Sequence, residues 1–475
     1  MAFNSLPFFT FFAALFVLYH AFSHRQNWRN TLLLGFNLTF FALLSGYTTI
    51  LLMICTLADF SIAKRISACK QDGPRFRWLV VSVLINVLLI LTFKHFTDWF
   101  ELNHMDSPIH FPWPLKFIGV SFIAFRSMGY VFDVYYENID RAEGNFISYA
   151  SYISFFPLLL SGPISQAEDF LKTANSTKII VNYEMVGRAS FLIALGILKK
   201  FVFGNYLSIN FIDRVFDASH LFTGLENFLA AVLQTLALYL DFSGYTDLVI
   251  GLSLLLGFDI IENFNFPFLS QNITEYWKRW HISLSTWFNQ YVYFPLSYYW
   301  RSWGKFGTCL AVFCVFSLSG FWHGTSPNFW LWGLMHAVAL IWDVLSSNWR
   351  IQWKKTIPSW LYKPLSIALT FTFLTFSGLF FKASDIHAGL TMIQKIVHEL
   401  DFSFLSEWLK HYPWVAVIGL FILLIQFTLS SKYESLLNFY QRLHWSIWVI
   451  WVSLVIIVAF QFNAMGSLPF YYLQF

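Results

Sequence analysis

Long apolar runs separated by short polar breaks dominate this chain. Runs of membrane-span character fall at 7–22, 31–44, 48–62, 78–95, 113–133, 147–163, 188–204, 224–258, 307–322, 328–346, 364–382, 413–430 and 445–463. A helical span needs about 17–25 mostly apolar residues, and lipid leaves helices as the economical way to satisfy the backbone. The pattern therefore predicts an all-α integral membrane bundle with about 11–13 spans or re-entrant pieces. The runs 31–44 and 48–62 are short for a crossing, and Ser45-Gly46-Tyr47 lies between them, which leaves a pair of crossings and a re-entrant hairpin both open there. The run 224–258 is long enough for a bent pair. No repeat, low-complexity stretch or Gly/Ser linker interrupts the series, and one membrane domain is expected over 1–475.

The polar breaks give an orientation. Lys64, Arg65, Lys70, Arg75 and Arg77 cluster between two runs and read as cytoplasmic. The next break carries Asp98, Glu101, His104 and Asp106 with no basic residue, which suits the external side. No Lys or Arg precedes the first run, whereas Arg25 and Arg29 follow it. A retained first span is expected, with its N-terminus outside.

Composition sharpens the membrane reading. Hydrophobic residues make up 57% of the 475 and charged residues only 12%, about half the share of a soluble domain. The net charge of +4 comes with no basic tract, which argues against nucleic acid. Cys55, Cys69, Cys309 and Cys314 form no disulfide framework and no zinc-knuckle spacing. No metal site is expected.

The stretch 259–306 differs from the rest, being aromatic yet threaded with Asn, Lys, Arg and His. Asn272-Ile-Thr-Glu275 reads as a capping box opening a helix. Continued at helical spacing, Trp277, Trp280, His281, Leu284 and Phe288 share one face, while Lys278 and Arg279 turn elsewhere. That is an interfacial helix, lying in the membrane plane or plugging a funnel.

The candidate chemistry centres on His323, beside Trp322 in Ser319-Gly-Phe-Trp-His-Gly-Thr325. An ionisable group in an apolar run is costly and marks a functional hypothesis by default. Imidazole suits a general base near neutral pH. Gly324 and Pro327 place it at a helix end. On the residues alone, a catalytic base and a hydrogen-bonded core histidine both remain open. Asp241, Asp247 and Arg126 read as buried ions paired with each other or with histidine. No Gly-x-Ser-x-Gly elbow is present, and Cys314 lies half a turn out of phase with His323, so neither a serine elbow nor a Cys–His dyad is read here.

Three ordered blocks carry a resemblance. They are Tyr239-Leu-Asp-Phe-Ser-Gly-Tyr-Thr-Asp247, Glu262-Asn-Phe-Asn-Phe-Pro-Phe268 continuing through Trp277-Lys-Arg-Trp-His-Ile-Ser-Leu-Ser285, and the His323 block followed by Trp332-Gly-Leu-Met-His336. With Tyr130-Val-Phe-Asp-Val-Tyr135, Phe155-Phe-Pro, Ser161-Gly-Pro-Ile164 and the ending Phe470-Tyr-Tyr-Leu-Gln-Phe475, the chain resembles the membrane-bound O-acyltransferase (MBOAT) family. The resemblance is to its bacterial alginate O-acetyltransferase (AlgI-like) branch, related to the DltB type. Two departures, Ser165-Gln-Ala-Glu-Asp169 and Ser297-Tyr-Tyr-Trp300, put the substrate in question more than the reaction.

The resemblance implies an MBOAT-type bundle around a central tunnel, in a bacterial inner membrane. It implies His323 and His336 as catalytic residues and His281 as a third recurring histidine, lining the pocket or anchoring its helix. Trp280, Trp322, Asn263, Asp241, Lys278 and Arg279 are the candidates for substrate or donor binding. Lys278 and Arg279 meet the phosphates of coenzyme A or a carrier's pantetheine arm in one reading and snorkel to lipid headgroups in the other. The implied activity moves an acyl group, acetyl by expectation, from acetyl-CoA or an acyl-carrier thioester to a hydroxyl of an extracytoplasmic polysaccharide or partner protein. No bound cofactor is implied, and a separate periplasmic or extracellular acyltransferase is the expected partner. Two alternatives stand beside it: D-alanyl transfer to teichoic acid, and a transporter or flippase, which would predict repeat-like halves.

Overall fold

The computed structural model describes residues 5–96 and 117–463. Among these every regular element is helical, with one isolated bridge between Phe264 and Trp280. Six helices are long and apolar enough to cross a membrane: Asp72–His95, Gly224–Leu255, Lys305–His323, Pro327–Leu345, Ser359–Lys382 and Trp445–Phe462. Phe402–His411 and Pro413–Leu429 form a further candidate, bent by 106° at the intervening Tyr412. The acidic break at Asp98–Asp106 in the sequence, the start of the run 113–133 and the ending 470–475 lie outside the described residues.

The chain divides into two compact units, Met1–Ala189 with Val249–Ile261, and Ser190–Leu248 with Glu262–Phe475. In the first unit the runs 31–44 and 48–62 lie within two longer helices joined at Gly46. Gln26–Ser45 runs for 20 residues and Thr48–Ala68 for 21, with Gly46 at φ 59° making the turn. At about 1.5 Å per residue each is some 30 Å long. The hydropathy pattern understates them because polar residues are buried inside the unit. Arg29 donates to the carbonyls of Ser23, Ala174 and Ser176, and Asn30 donates to that of Ala174. Asp59 accepts from Ser82, Asn86 and Ser127. A buried polar group with its partners in place can sit in an apolar bundle without an exposed backbone or side-chain penalty.

The upstream family blocks are also core here. Phe155, Phe170 and Phe258 pack together, the last two stacked at 4.3 Å. Tyr130 accepts a hydrogen bond from the Glu143 backbone at 2.7 Å. At Gly119, φ is 76° and a Cβ would meet the Leu159 carbonyl at 2.3 Å, so only glycine fits.

In the second unit, Gly224–Leu255 is one continuous helix rather than a bent pair; its residues up to Leu248 belong to this unit. Asp241 and Asp247 face Lys200 and Lys199, which sit on the wound-out turn Leu198–Gly204. Lys199 to Asp247 is 2.7 Å. The pairing expected of buried acids is present, with lysines as the partners. Gly196 and Gly244 let the two backbones meet, because a Cβ on Gly196 would lie 2.5 Å from the Gly244 carbonyl.

The expected interfacial helix breaks in two. Ile273–Trp277 ends after one turn and Ile282–Phe288 begins after His281, whose φ of 46° is left-handed. Asn272 does accept from the Glu275 backbone, whereas Glu275 reaches past the cap to the Gln271 N–H. The break follows from long-range bonds that outcompete the helix. The Asn265 N–H donates to the Arg279 carbonyl and the Ile282 N–H to the Asn263 carbonyl, so 263–265 pins 279–282 as a short ribbon.

Candidate active site

His323 is the last residue of the helix Lys305–His323 and is 4% exposed. Ser326 caps the next helix, Pro327–Leu345, with Pro327 in its first turn. Proline at that position costs no hydrogen bond, and it stops the first helix from running on. The two helices meet backbone to backbone. A Cβ on Gly320 would lie 2.7 Å from the Phe329 carbonyl, and one on Gly333 2.6 Å from the Phe316 carbonyl. Small residues at such a crossing bring polar atoms of two helices to one spot. The His323 ring lies edge-to-face with Trp332 and with Phe381, both at 4.9 Å.

His336 sits on the second helix, 1% exposed. Trp277 Nε1 donates to its Nδ1 at 3.3 Å. Its Nε2 lies 3.3 Å from Ser377 Oγ, and that hydroxyl donates to the Leu374 carbonyl. An indole N–H is a donor only, so His336 Nδ1 is the acceptor and Nε2 carries the proton. Both ring nitrogens are thus committed, and the tautomer follows from the network.

His281 is 1% exposed in the break between the short helices. Its Nδ1 lies 3.4 Å from Asn263 Oδ1, which also accepts from the Ser283 N–H and hydroxyl at 2.9 Å. His281 stands outside every candidate span, and burial pushes its pKa down to about 3, so it is a neutral imidazole.

One cavity gathers these groups. His281, His323, His336, Trp277, Trp280 and Trp332 all line it, and it offers about 40 Å³. A second cavity of about 550 Å³ carries Lys278 together with Ser285, Asn289 and Ser319. Trp277 and Leu284 line both. The larger volume is within the roughly 300–1,000 Å³ of ligand sites, whereas the smaller holds only two or three water-sized groups.

A model of the membrane-bound O-acyltransferase family matches residues 137–379, more than half of the chain. The chain belongs to the MBOAT family. It is 31% identical to a probable alginate O-acetylase AlgI of Pseudomonas fluorescens over 86% of this chain and 77% of that one. It is 28% identical to a peptidoglycan O-acetyltransferase of Helicobacter pylori, covering 71% and 68%. A teichoic acid D-alanyltransferase of Bacillus subtilis is 30% identical over 61% of this chain and 74% of its own. The protein is a multi-pass membrane O-acyltransferase, as the MBOAT resemblance implied.

Within this MBOAT site the remaining candidates separate. Trp280 lines the small cavity, its ring stacked on Tyr276 at 5.6 Å. Trp322 is buried beside His323, ring to ring at 4.6 Å. Lys278 is exposed at the large cavity. Arg279 instead pairs with Glu275 at 2.9 Å and reaches the Asn265 carbonyl at 3.3 Å, lining neither cavity. Asn263 and Asp241 also lie outside both linings; the first holds the break and the second pairs with Lys200.

Sequence reading missed Ser377 and Phe381, because nothing in the motif of Ser359–Lys382 distinguishes it from any apolar span. It also missed Asp343, which accepts from the Thr274 N–H at 2.8 Å, pairs with Arg350 at 3.0 Å, and so ties the Trp277 helix to the His336 helix. A carboxylate seven residues after His336, two turns along the same face, was the available signal.

Proposed function

We propose that this protein transfers an acetyl group from a thioester donor, acetyl-CoA or an acyl-carrier thioester, to a hydroxyl of an extracytoplasmic partner acyltransferase or polysaccharide. The observation that carries this reading is the small cavity with three histidines, sharing Trp277 and Leu284 with a chamber large enough for a thioester arm. His323 is the general base. It removes the proton of the acceptor hydroxyl as that oxygen attacks the thioester carbonyl carbon. The C–S bond then breaks, and the leaving thiolate takes the proton from the imidazolium. His336 is a positioning group rather than the base, since protonating its Nδ1 would lose the Trp277 bond. His281, neutral and hydrogen-bonded to Asn263, lines the small cavity with them. Lys278, exposed at the larger cavity, suits the phosphates of the donor. A separate acyltransferase outside the cytoplasm completes delivery to the glycan.

The test compares acyl-ester content of surface glycans for native protein and His323→Ala at equal membrane abundance. Loss of ester in the variant is expected, with mass analysis giving acetyl as the native group. Unchanged ester would remove His323 from the mechanism.

A further inference from the structure

Resting on the assignment of the small cavity as the transfer chamber, we infer that Leu374, Gly378 and Thr235 set the length of the acyl group and hold it to two carbons. The chamber's volume, about 40 Å³, admits roughly three heavy atoms if each needs about the room of a water. An acetyl group brings its methyl carbon, carbonyl carbon and oxygen. A propionyl group adds a fourth heavy atom, and a D-alanyl group adds a carbon and an ammonium.

Most of the wall cannot yield without disturbing the reacting groups. Trp332 and Phe381 both pack on the His323 ring at 4.9 Å, and Trp277 is bonded to His336. Two further parts of the wall come from Ser359–Lys382 and Gly224–Leu255. Leu374 and Gly378 lie four residues apart on one face of Ser359–Lys382, with Ser377 between them fixed to His336. This wall is therefore in register with the histidine. Thr235 closes it from Gly224–Leu255, its hydroxyl turned back to the Ala231 carbonyl at 3.1 Å. At Gly378 an added Cβ would meet only Thr235 Oγ1, at 3.7 Å, so a methyl group enters there without displacing backbone. Leu374 is the bulky side chain of the three, and shortening it enlarges the chamber while leaving both side-chain partners of His336 in place.

The experiment supplies membranes containing the full chain with acetyl-CoA or propionyl-CoA and measures ester formed on the endogenous glycan. Native protein, His323→Ala, Leu374→Ala and Gly378→Ala are compared at matched abundance. Native protein is expected to favour acetyl by at least about tenfold, the discrimination one methylene can give. Leu374→Ala is expected to raise the propionyl-to-acetyl ratio by about the same factor, and Gly378→Ala to lower acetyl transfer severalfold and propionyl transfer further. Equal use of the two donors by native protein overturns the inference while leaving the acyltransfer reading intact. So does an unchanged ratio in Gly378→Ala, or in a Leu374→Ala that still transfers acetyl. Absence of any His323-dependent acetyl transfer by native protein, with acetyl-CoA and with an acetylated carrier as donor, overturns the underlying reading, and this inference with it.

Discussion

Both units of this protein bury polar side chains among aromatic and aliphatic ones, yet the two do so to different ends. In the first unit Arg29 is spent on three carbonyls and Asp59 on three side-chain donors. In the second, His281, His323 and His336 surround a cavity, and a larger cavity adjoins it through Trp277 and Leu284. The lesson is that an ionisable group in an apolar run does not by itself mark a catalytic site. A polar group closed over by its neighbours marks a strut, and a wall on empty space marks a place where a substrate can be received.

The comparison is broken most sharply at His323. His323→Ala is expected to reduce acyl transfer by about 100-fold or more, the low end of what a general base supplies, while detergent-extracted protein keeps its melting temperature. A loss of thermal stability as large as that of a core deletion, with residual activity in the folded fraction, would make His323 a strut after all. Trp277→Phe keeps the ring and removes the N–H that fixes His336. Its expected effect is about a tenfold fall in turnover with little change in donor KM, read from initial rates in membranes.

Asp59→Asn reverses the emphasis. It turns one of two acceptor oxygens toward donors as an amide N–H, and should cost about 1–3 kcal/mol of stability. Protein recovered from membranes should fall, while activity per folded molecule stays level. A drop in specific activity would show that the first unit takes part in the chemistry. The smallest effect is expected at Arg279→Gln, which breaks a part-exposed pair with Glu275 worth no more than about 1 kcal/mol. Donor KM should hold within about twofold. A tenfold rise would place Arg279 on a donor phosphate, an effect expected of Lys278 and not of Arg279.

Much of this site was legible before any coordinates. The Trp-His-Gly block with Pro327 behind it put His323 at a helix end, and the three motif blocks supplied all three histidines of the cavity. What misled was periodicity through 272–288. Helical spacing grouped Trp277, Trp280 and His281 on one face, and the break at His281 brings them to the cavity by another route. Local pattern carries no information about a backbone pair between Asn265, which precedes the helix it predicts, and Arg279 within that helix.

Sequence alone determined that the chain lies in a membrane, that it is built from helices, and that His323 stands at a helix end. These follow from properties summed over many residues or fixed by a short block: hydropathy, the excess of aromatics, and Gly and Pro beside a histidine. Tertiary structure decided which partners His336 takes, which cations face a cavity, and how much room the cavity between the histidines offers. Those are properties of empty space and of hydrogen bonds between distant helices. The Ser377 that fixes His336 lies 41 residues away in sequence, on a span whose composition gives no sign of it. Only packing, which sets side-chain distances to a fraction of an ångström, distinguishes such a residue from the apolar background around it.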